Sequence, residues 1–401
     1  MINARAVIEG LRSGVPYPET AQAVLVGRQA VLDDTVRLLE TVESGHRPKT
    51  WGRVWRAEFG DGKTHLLHAL AKVAQDRHWV VSWVTLSKET PLDRMDYLYP
   101  KLVANTYRPG SHQPGLAEII AEAMASPQFL AELAEERLSD RLRAVVKSLA
   151  RRDQGYEELL ADIEGEFLSM ATIRQHYRKN FQRPFKHAEP SAPSRLRDEV
   201  WNYLRFVDFT VGQAGYRGWL ILFDEVELIG RFGRGGRAKS YAHLGRWLSG
   251  VGERTVTLWA VAGNYETDVL QPRKDRLLAP EWLEGRPREQ ALAPWARMGL
   301  EALANAQTLD PLTSDQIRAL LGRIVELHQE AFGWRAPIAP ESLYDAVRLR
   351  LEQLDPRVRT WVRIGIAILD LLYQYGDSGA LSVTPIAAPD LSEEATPHEE
   401  V

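Results

Sequence analysis

The sequence predicts a three-layer α/β domain on a parallel sheet, interrupted by a large helical insertion and followed by a smaller helical domain. Three observations predict it. Apolar, β-branched or aromatic runs at 54–59, 79–86, 218–223 and 256–262 alternate with helical stretches, the order that packs helices on both faces of parallel strands. The first run leads directly into a glycine-containing loop and a helix. Residues 91–214 then separate the second run from the third, far more than the roughly 30 residues of one strand–helix–strand unit.

Composition sets limits. At 401 residues the chain exceeds one average domain, and 44% hydrophobic with 26% charged residues is enough for a substantial core. A net charge of −4 gives no whole-molecule attraction to nucleic acid or acidic lipid, so such contact needs a local basic patch. With no cysteine, disulfides, thiolate metal sites and cysteine nucleophiles are excluded. Met1-Ile-Asn-Ala-Arg-Ala lacks the apolar core of a signal peptide, and no apolar run reaches about 18 residues. The expectation is a cytoplasmic protein with no membrane partner.

The elements follow in order. Residues 3–12 form a helix with Ala6, Val7, Ile8 and Leu11 on one side, stopped by Ser13-Gly14. A second helix covers Gln29–Glu43. Val54–Phe59 is a strand, and a helix runs from Lys63 to about Gln75. Trp79–Leu86 is a buried parallel strand. The insertion is helical at Phe129–Leu149 and Tyr156–Met170 and broken by Pro184–Pro193. Gly218–Phe223 and Val256–Ala262 complete the strands, with Trp79, Trp83, Trp219 and Trp259 expected in the core. Beyond Leu312 the chain turns helical. Thr313 and Gln316 form a capping box before the stripe of Ile317, Leu320, Leu321, Ile324 and Leu327, and the last helix is Trp361–Tyr375. The boundaries are 1–310 for the sheet domain with its insertion, 311–376 for the helical domain, and 377–401 for an acidic tail expected to be disordered.

The segment Ala57-Glu58-Phe59-Gly60-Asp61-Gly62-Lys63-Thr64 fits the phosphate-binding P-loop G-x-x-x-x-G-K-[ST], except that Ala57 replaces the first glycine. Gly60 and Gly62 permit backbone angles that turn successive N–H groups inward on phosphates. The helix that follows directs its positive end at them. Lys63 can reach the β- and γ-phosphates, and Thr64 can hold Mg²⁺.

Trp219–Asp224-Glu225 is an apolar strand ending in two carboxylates. Such groups at a buried strand end are costly without a nearby cation, which Mg²⁺ would supply. Asp224 would hold the metal's water shell and Glu225 would act as general base on the attacking water. Asn264, after the next strand, is placed to orient that water or sense the γ-phosphate. A finger or sensor would be arginine. The candidates are Arg357, Arg359 and Arg363 near the last helix, and Arg276, Arg288 and Arg297 after the Asn264 strand.

Two stretches could meet nucleic acid. Arg174–Lys186 interleaves cations that neutralise phosphate with aromatics that stack on bases, and Arg231–Lys239 reads as a flexible basic loop. His65 and His68 read as packing or surface residues.

With those residues placed, the chain resembles the ATP-binding P-loop proteins of bacterial BREX (bacteriophage exclusion) phage-defence loci, the BrxD-like family. The resemblance spans roughly 3–375 with unmatched insertions. It rests on Ala4–Pro16, Val26-Gly27-Arg28, Glu58–His65, Val80–Pro91 with its Leu-Ser-Lys-Glu-Thr-Pro ending, and Leu222–Val226. More broadly the chain resembles AAA+ ATPases of the initiator-like type. That resemblance implies ATP as the nucleotide and an adenine near Val26, Gly27 and Arg28. It implies Asn264 as first sensor, Arg357 as second sensor on a helical lid, and a homo-oligomer or partner proteins of a defence complex. Two functions follow as alternatives: an Mg²⁺-dependent ATPase acting on a DNA-associated complex, or an ATP-binding scaffold that hydrolyses little and recruits partners through the insertion.

Overall fold

A computed structural model describes residues 3–14, 18–58, 60–136, 138–151, 155–182, 184, 196–351 and 357–376. The chain divides into two compact units, Arg28–Asp310 and Met1–Gly27 with Pro311–Val401.

The first unit is built on a six-stranded sheet in the order β3-β2-β4-β5-β1-β6. β1 is Gly52–Ala57, β2 Val80–Thr85, β3 Thr106–Tyr107, β4 Trp219–Asp224, β5 Thr255–Ala262 and β6 Gln307–Thr308. All pairings are parallel except β2–β3. β4 and β5 are the apolar runs expected of strands buried on both faces, and Phe223 stacks on Trp259 at 3.7 Å. Trp79, Trp219 and Trp259 are fully buried, each large ring contributing about 1.5–3 kcal/mol of transfer free energy. Trp83 is half-buried and stacks on His68 at 4.1 Å instead. The strand expected at Val54–Phe59 ends at Ala57, and Phe59 lies outside the described residues.

The insertion departs from the sequence reading at two places. Phe129–Leu149 is two helices, Phe129–Glu135 and Asp140–Leu149, because Ser139 caps the second by accepting the Leu142 N–H. Tyr156–Met170 is also broken: helix Tyr156–Ala161 passes into a π turn in which Gly165 has φ +104°, and a new helix starts at Met170 behind Ser169. Most of Pro184–Pro193, and the tail 377–401, lie outside the described residues.

The second unit packs helix Ala4–Ser13 with Ser314–Phe332, Pro340–Leu351 and Val358–Tyr375. Helix Ala4–Ser13 therefore packs with the C-terminal helices. Val7 and Ile8 explain this: they are fully buried in the core formed by Leu321, Ile324 and Leu369. Thr313 and Gln316 make both bonds of the capping box.

Asp370 accepts from Arg12 at 2.8 Å and from His328 Nε2 at 3.0 Å. Trp334 Nε1 donates to His328 Nδ1 at 3.0 Å, so Nε2 carries the proton that Asp370 accepts. Burial pushes the Asp370 carboxyl up, but the bonds from His328 and Arg12 outweigh it and hold it below its ordinary value. A depressed carboxyl contributes stability that is present above its unfolded pKa and lost as pH falls through the folded one. Thermal unfolding of this unit, followed by tryptophan fluorescence, is expected to fall towards acid pH. Asp370→Asn should flatten that dependence, and an unchanged acid limb in the variant would remove Asp370 from it.

Candidate nucleotide site

Ligands of open parallel sheets collect at the carboxyl ends of the strands, where the chain order reverses. Here β1 leads towards β2 on one side, while β5 and β6 flank it. The loop after β1 turns through Gly60 at φ +85° and Gly62 at φ +88°, values that a Cβ disfavours. The residue before the Lys63–Asp76 helix is Gly62, which has no side chain to cap it, and N–H groups at a helix start favour an anion. Lys63 is buried, and its ammonium donates to the carbonyls of Ala57 at 2.9 Å and Glu58 at 3.4 Å. The Ala57 carbonyl also accepts from Gly263 N–H at 2.9 Å. A Cβ on Gly263 would stand 2.2 Å from Glu58 Oε1, the tip of an exposed side chain, and 3.4 Å from the Ala57 backbone, so β5 passes close to the loop here.

Thr64 Oγ1 donates to Asp224 Oδ2 at 2.7 Å, joining the end of the loop after β1 to the end of β4. Asp224 Oδ1 accepts the Glu225 N–H at 3.0 Å. Glu225 has φ +58°, a left-handed conformation that costs a non-glycine residue about 1 kcal/mol or more and that clusters at functional sites. The turn starts the short helix Val226–Arg231. Burial pushes the carboxyls of Asp224 and Glu225 up. The Thr64 bond, the Glu225 N–H and Lys63 oppose that shift at Asp224, whereas at Glu225 its neighbours Glu227 and Asp224 add to it.

Arg28 is buried, donating to the carbonyls of Asp310 at 2.7 Å and Asp61 at 3.4 Å. It thus ties the loop at Asp61 to the chain at Asp310, and burial lowers its pKa. Val26 and Gly27 belong to the other unit, where Gly27 at φ +70° abuts the Gln316 side chain. Asn264 is exposed and donates to Asp268 at 2.6 Å. His65 is half-buried. Arg357 is an exposed residue at the start of Val358–Tyr375 in the second unit.

The chain matches the model of the BREX system ATP-binding protein BrxC/D family over residues 2–186 and 196–380. The chain belongs to the BrxC/D family. No curated protein matches it. As a BrxC/D member it is an ATP-binding protein of a phage-defence system. Among the described residues no helix is long and apolar enough to cross a membrane.

The donor set around Asp224 fits Mg²⁺ in this BrxC/D chain. Mg²⁺ is commonly held by one or two protein oxygens together with substrate phosphates and water. Among the described residues no group of three acids or histidines could hold a metal ion by itself. Thr64 and Asp224 already share a hydrogen bond, and the carboxylate is buried with Lys63 as its cationic neighbour.

Two sequence expectations change. Arg231–Lys239 is not a flexible loop: Arg234–Leu248 is a helix. Arg237 is buried in a bidentate pair with Asp275 at 2.6 and 2.7 Å, and Lys239 pairs with Glu289 at 3.0 Å. In Arg174–Lys186, the Met170–Phe181 helix turns His176 and Tyr177 inward and leaves Arg174, Arg178 and Lys179 exposed. Tyr177 is buried in the core, and the half-buried Phe181 ring packs against it at 4.5 Å. Of the other arginines, Arg276 pairs with Glu266 at 2.7 Å and Arg297 with Glu284, while Arg288 is exposed.

Sequence reading missed Glu227. Its carboxylate accepts the Ala262 N–H at 3.0 Å, and burial pushes its pKa up. The only signal was a third acid two residues after Glu225.

Proposed function

We propose that the chain is an AAA+-like, Mg²⁺-dependent ATPase acting in a DNA-associated defence complex, with residues 311–376 as its lid. The observation that carries this reading is the Thr64–Asp224 bond, which brings the phosphate loop and the acidic strand end to one point. Lys63 exchanges the Ala57 and Glu58 carbonyls for the β- and γ-phosphates of ATP. The amides of residues 60–64 and the helix N-terminus cradle the remaining oxygens. Thr64 and Asp224 hold Mg²⁺, which when bound adds positive charge at the phosphate oxygens. Glu225 takes the proton of the attacking water, and Asn264 orients that water or reads the γ-phosphate. Arg357 is the proposed second sensor, and Arg276, Arg288 or Arg297 the proposed finger to a neighbouring subunit or partner protein.

Phosphate release with ATP and Mg²⁺, with and without duplex DNA, tests the reading. Lys63→Ala is expected to lose about 10²-fold or more in turnover. Turnover that rises with DNA supports the DNA link. In that case alanine at Arg174, Arg178 and Lys179 should reduce the salt slope of binding by about 0.9 for each DNA phosphate that is no longer neutralised. Tight ATP binding without turnover under any condition would instead support the scaffold.

A further inference from the structure

The pairing of β4 with β5 ends at Phe223 and Trp259, because the left-handed turn at Glu225 takes the chain out of the sheet. β5 continues to Ala262 beside β1, which pairs with it as far as Ala57. On the β1 side the end of β5 is held by the Gly263 N–H on the Ala57 carbonyl at 2.9 Å. On the β4 side no strand remains to accept from Ala262. Backbone N–H groups alternate between the two neighbours of a strand, so this amide needs an acceptor of its own. Glu227 Oε2 provides it at 3.0 Å.

We propose that Glu227 is a positioning residue that replaces the missing β4 carbonyl and fixes the end of β5, and with it Gly263 and Asn264, at the phosphate loop. The inference rests on the ATPase reading for its effect on turnover, though not for its effect on the strand. The requirement is an acceptor at the right reach, not a charge. The side chain is anchored by the short helix Val226–Arg231, whose first residue follows Glu225, so one turn sets both carboxylates. The Lys63 ammonium shares the Ala57 carbonyl with Gly263, so the end of β5 and the phosphate-binding lysine meet at one oxygen. Loss of the Glu227 bond releases one of the two bonds, at Ala262 and Gly263, that hold the end of β5 just before Asn264.

Three variants separate reach from charge. Glu227→Gln keeps the acceptor and removes the charge, Glu227→Asp keeps the charge and shortens the reach, and Glu227→Ala removes both. Steady-state ATP hydrolysis is measured for each, together with hydrogen exchange over residues 260–265 of the nucleotide-free protein. Glu227→Gln is expected to stay within about threefold of wild type, while Glu227→Asp and Glu227→Ala lose about 10²-fold in kcat with KM for ATP little changed. Exchange at Ala262 should quicken in the Asp and Ala variants only. Wild-type exchange at Ala262 in Glu227→Asp, or a Gln variant as impaired as Ala, overturns the proposal. If the wild type hydrolyses no ATP, the ATPase reading fails by itself and the exchange series still decides whether Glu227 holds the strand.

Discussion

Glu225→Gln is expected to bind ATP as the wild type does and to release phosphate about 10²–10⁴-fold more slowly, the range lost when a positioned general base is removed. The substitution is nearly isosteric. Glutamine keeps the left-handed φ of +58° and the N–H bond to Asp224, so the turn and the Thr64–Asp224 contact stay in place. What changes is the ability to take a proton, together with one negative charge among Asp224, Glu225 and Glu227. Relief of that crowding should leave nucleotide affinity equal or higher, and the denaturation midpoint equal or slightly raised. Lys63→Ala is expected to have the opposite signature, since on the proposed reading Lys63 bonds phosphate in the ground state as well as in the transition state. Phosphate release and equilibrium nucleotide binding, measured on both variants, separate the two roles. Equal turnover in Glu225→Gln would remove Glu225 from the chemistry and turn attention to Asn264.

What was legible in the sequence is what local chemistry dictates. Gly60 and Gly62 were legible because both take a positive φ that a Cβ disfavours, and the helix begins at Lys63 directly after them. Thr313 and Gln316 cap as read. The strands of two residues, β3 and β6, are too short to carry a periodicity. Gly233-Arg-Gly-Gly looks flexible by composition, yet Gly235 is small because Trp282 lies where its Cβ would be, at 2.6 Å. Helix Arg234–Leu248 is decided by that packing and by the Arg237–Asp275 pair, whose partners are far apart in sequence. Glu227 was invisible for the same reason: its partner amide lies on another strand.

The crossing of helices Arg234–Leu248 and Ala293–Ala304 yields the second large effect. A Cβ on Gly245 would stand 2.0 Å from the Trp295 carbonyl oxygen, and one on Gly299 would stand 2.0 Å from that of Tyr241. Both obstacles are backbone, which cannot rotate away. Helix propensity alone favours Gly299→Ala by about 1 kcal/mol, but overpacking costs about 1–3 kcal/mol and more where backbone must move. The crossing wins, so Gly299→Ala is expected to lower the urea midpoint of the sheet unit. Gly322 lies inside Ser314–Phe332 and supplies the internal comparison: its added Cβ would meet the Pro340 ring at an ordinary 3.6 and 3.7 Å. Gly322→Ala should therefore stabilise its own unit, up to the same 1 kcal/mol or so. Two identical substitutions in helix interiors thus carry opposite signs, and the same sign in both would mean that propensity, not backbone contact, governs the crossing. The Ala293–Ala304 helix leads into β6, which pairs with the phosphate-loop strand β1. A displaced crossing should therefore reach nucleotide affinity as well as stability, whereas Gly322→Ala should leave affinity unchanged.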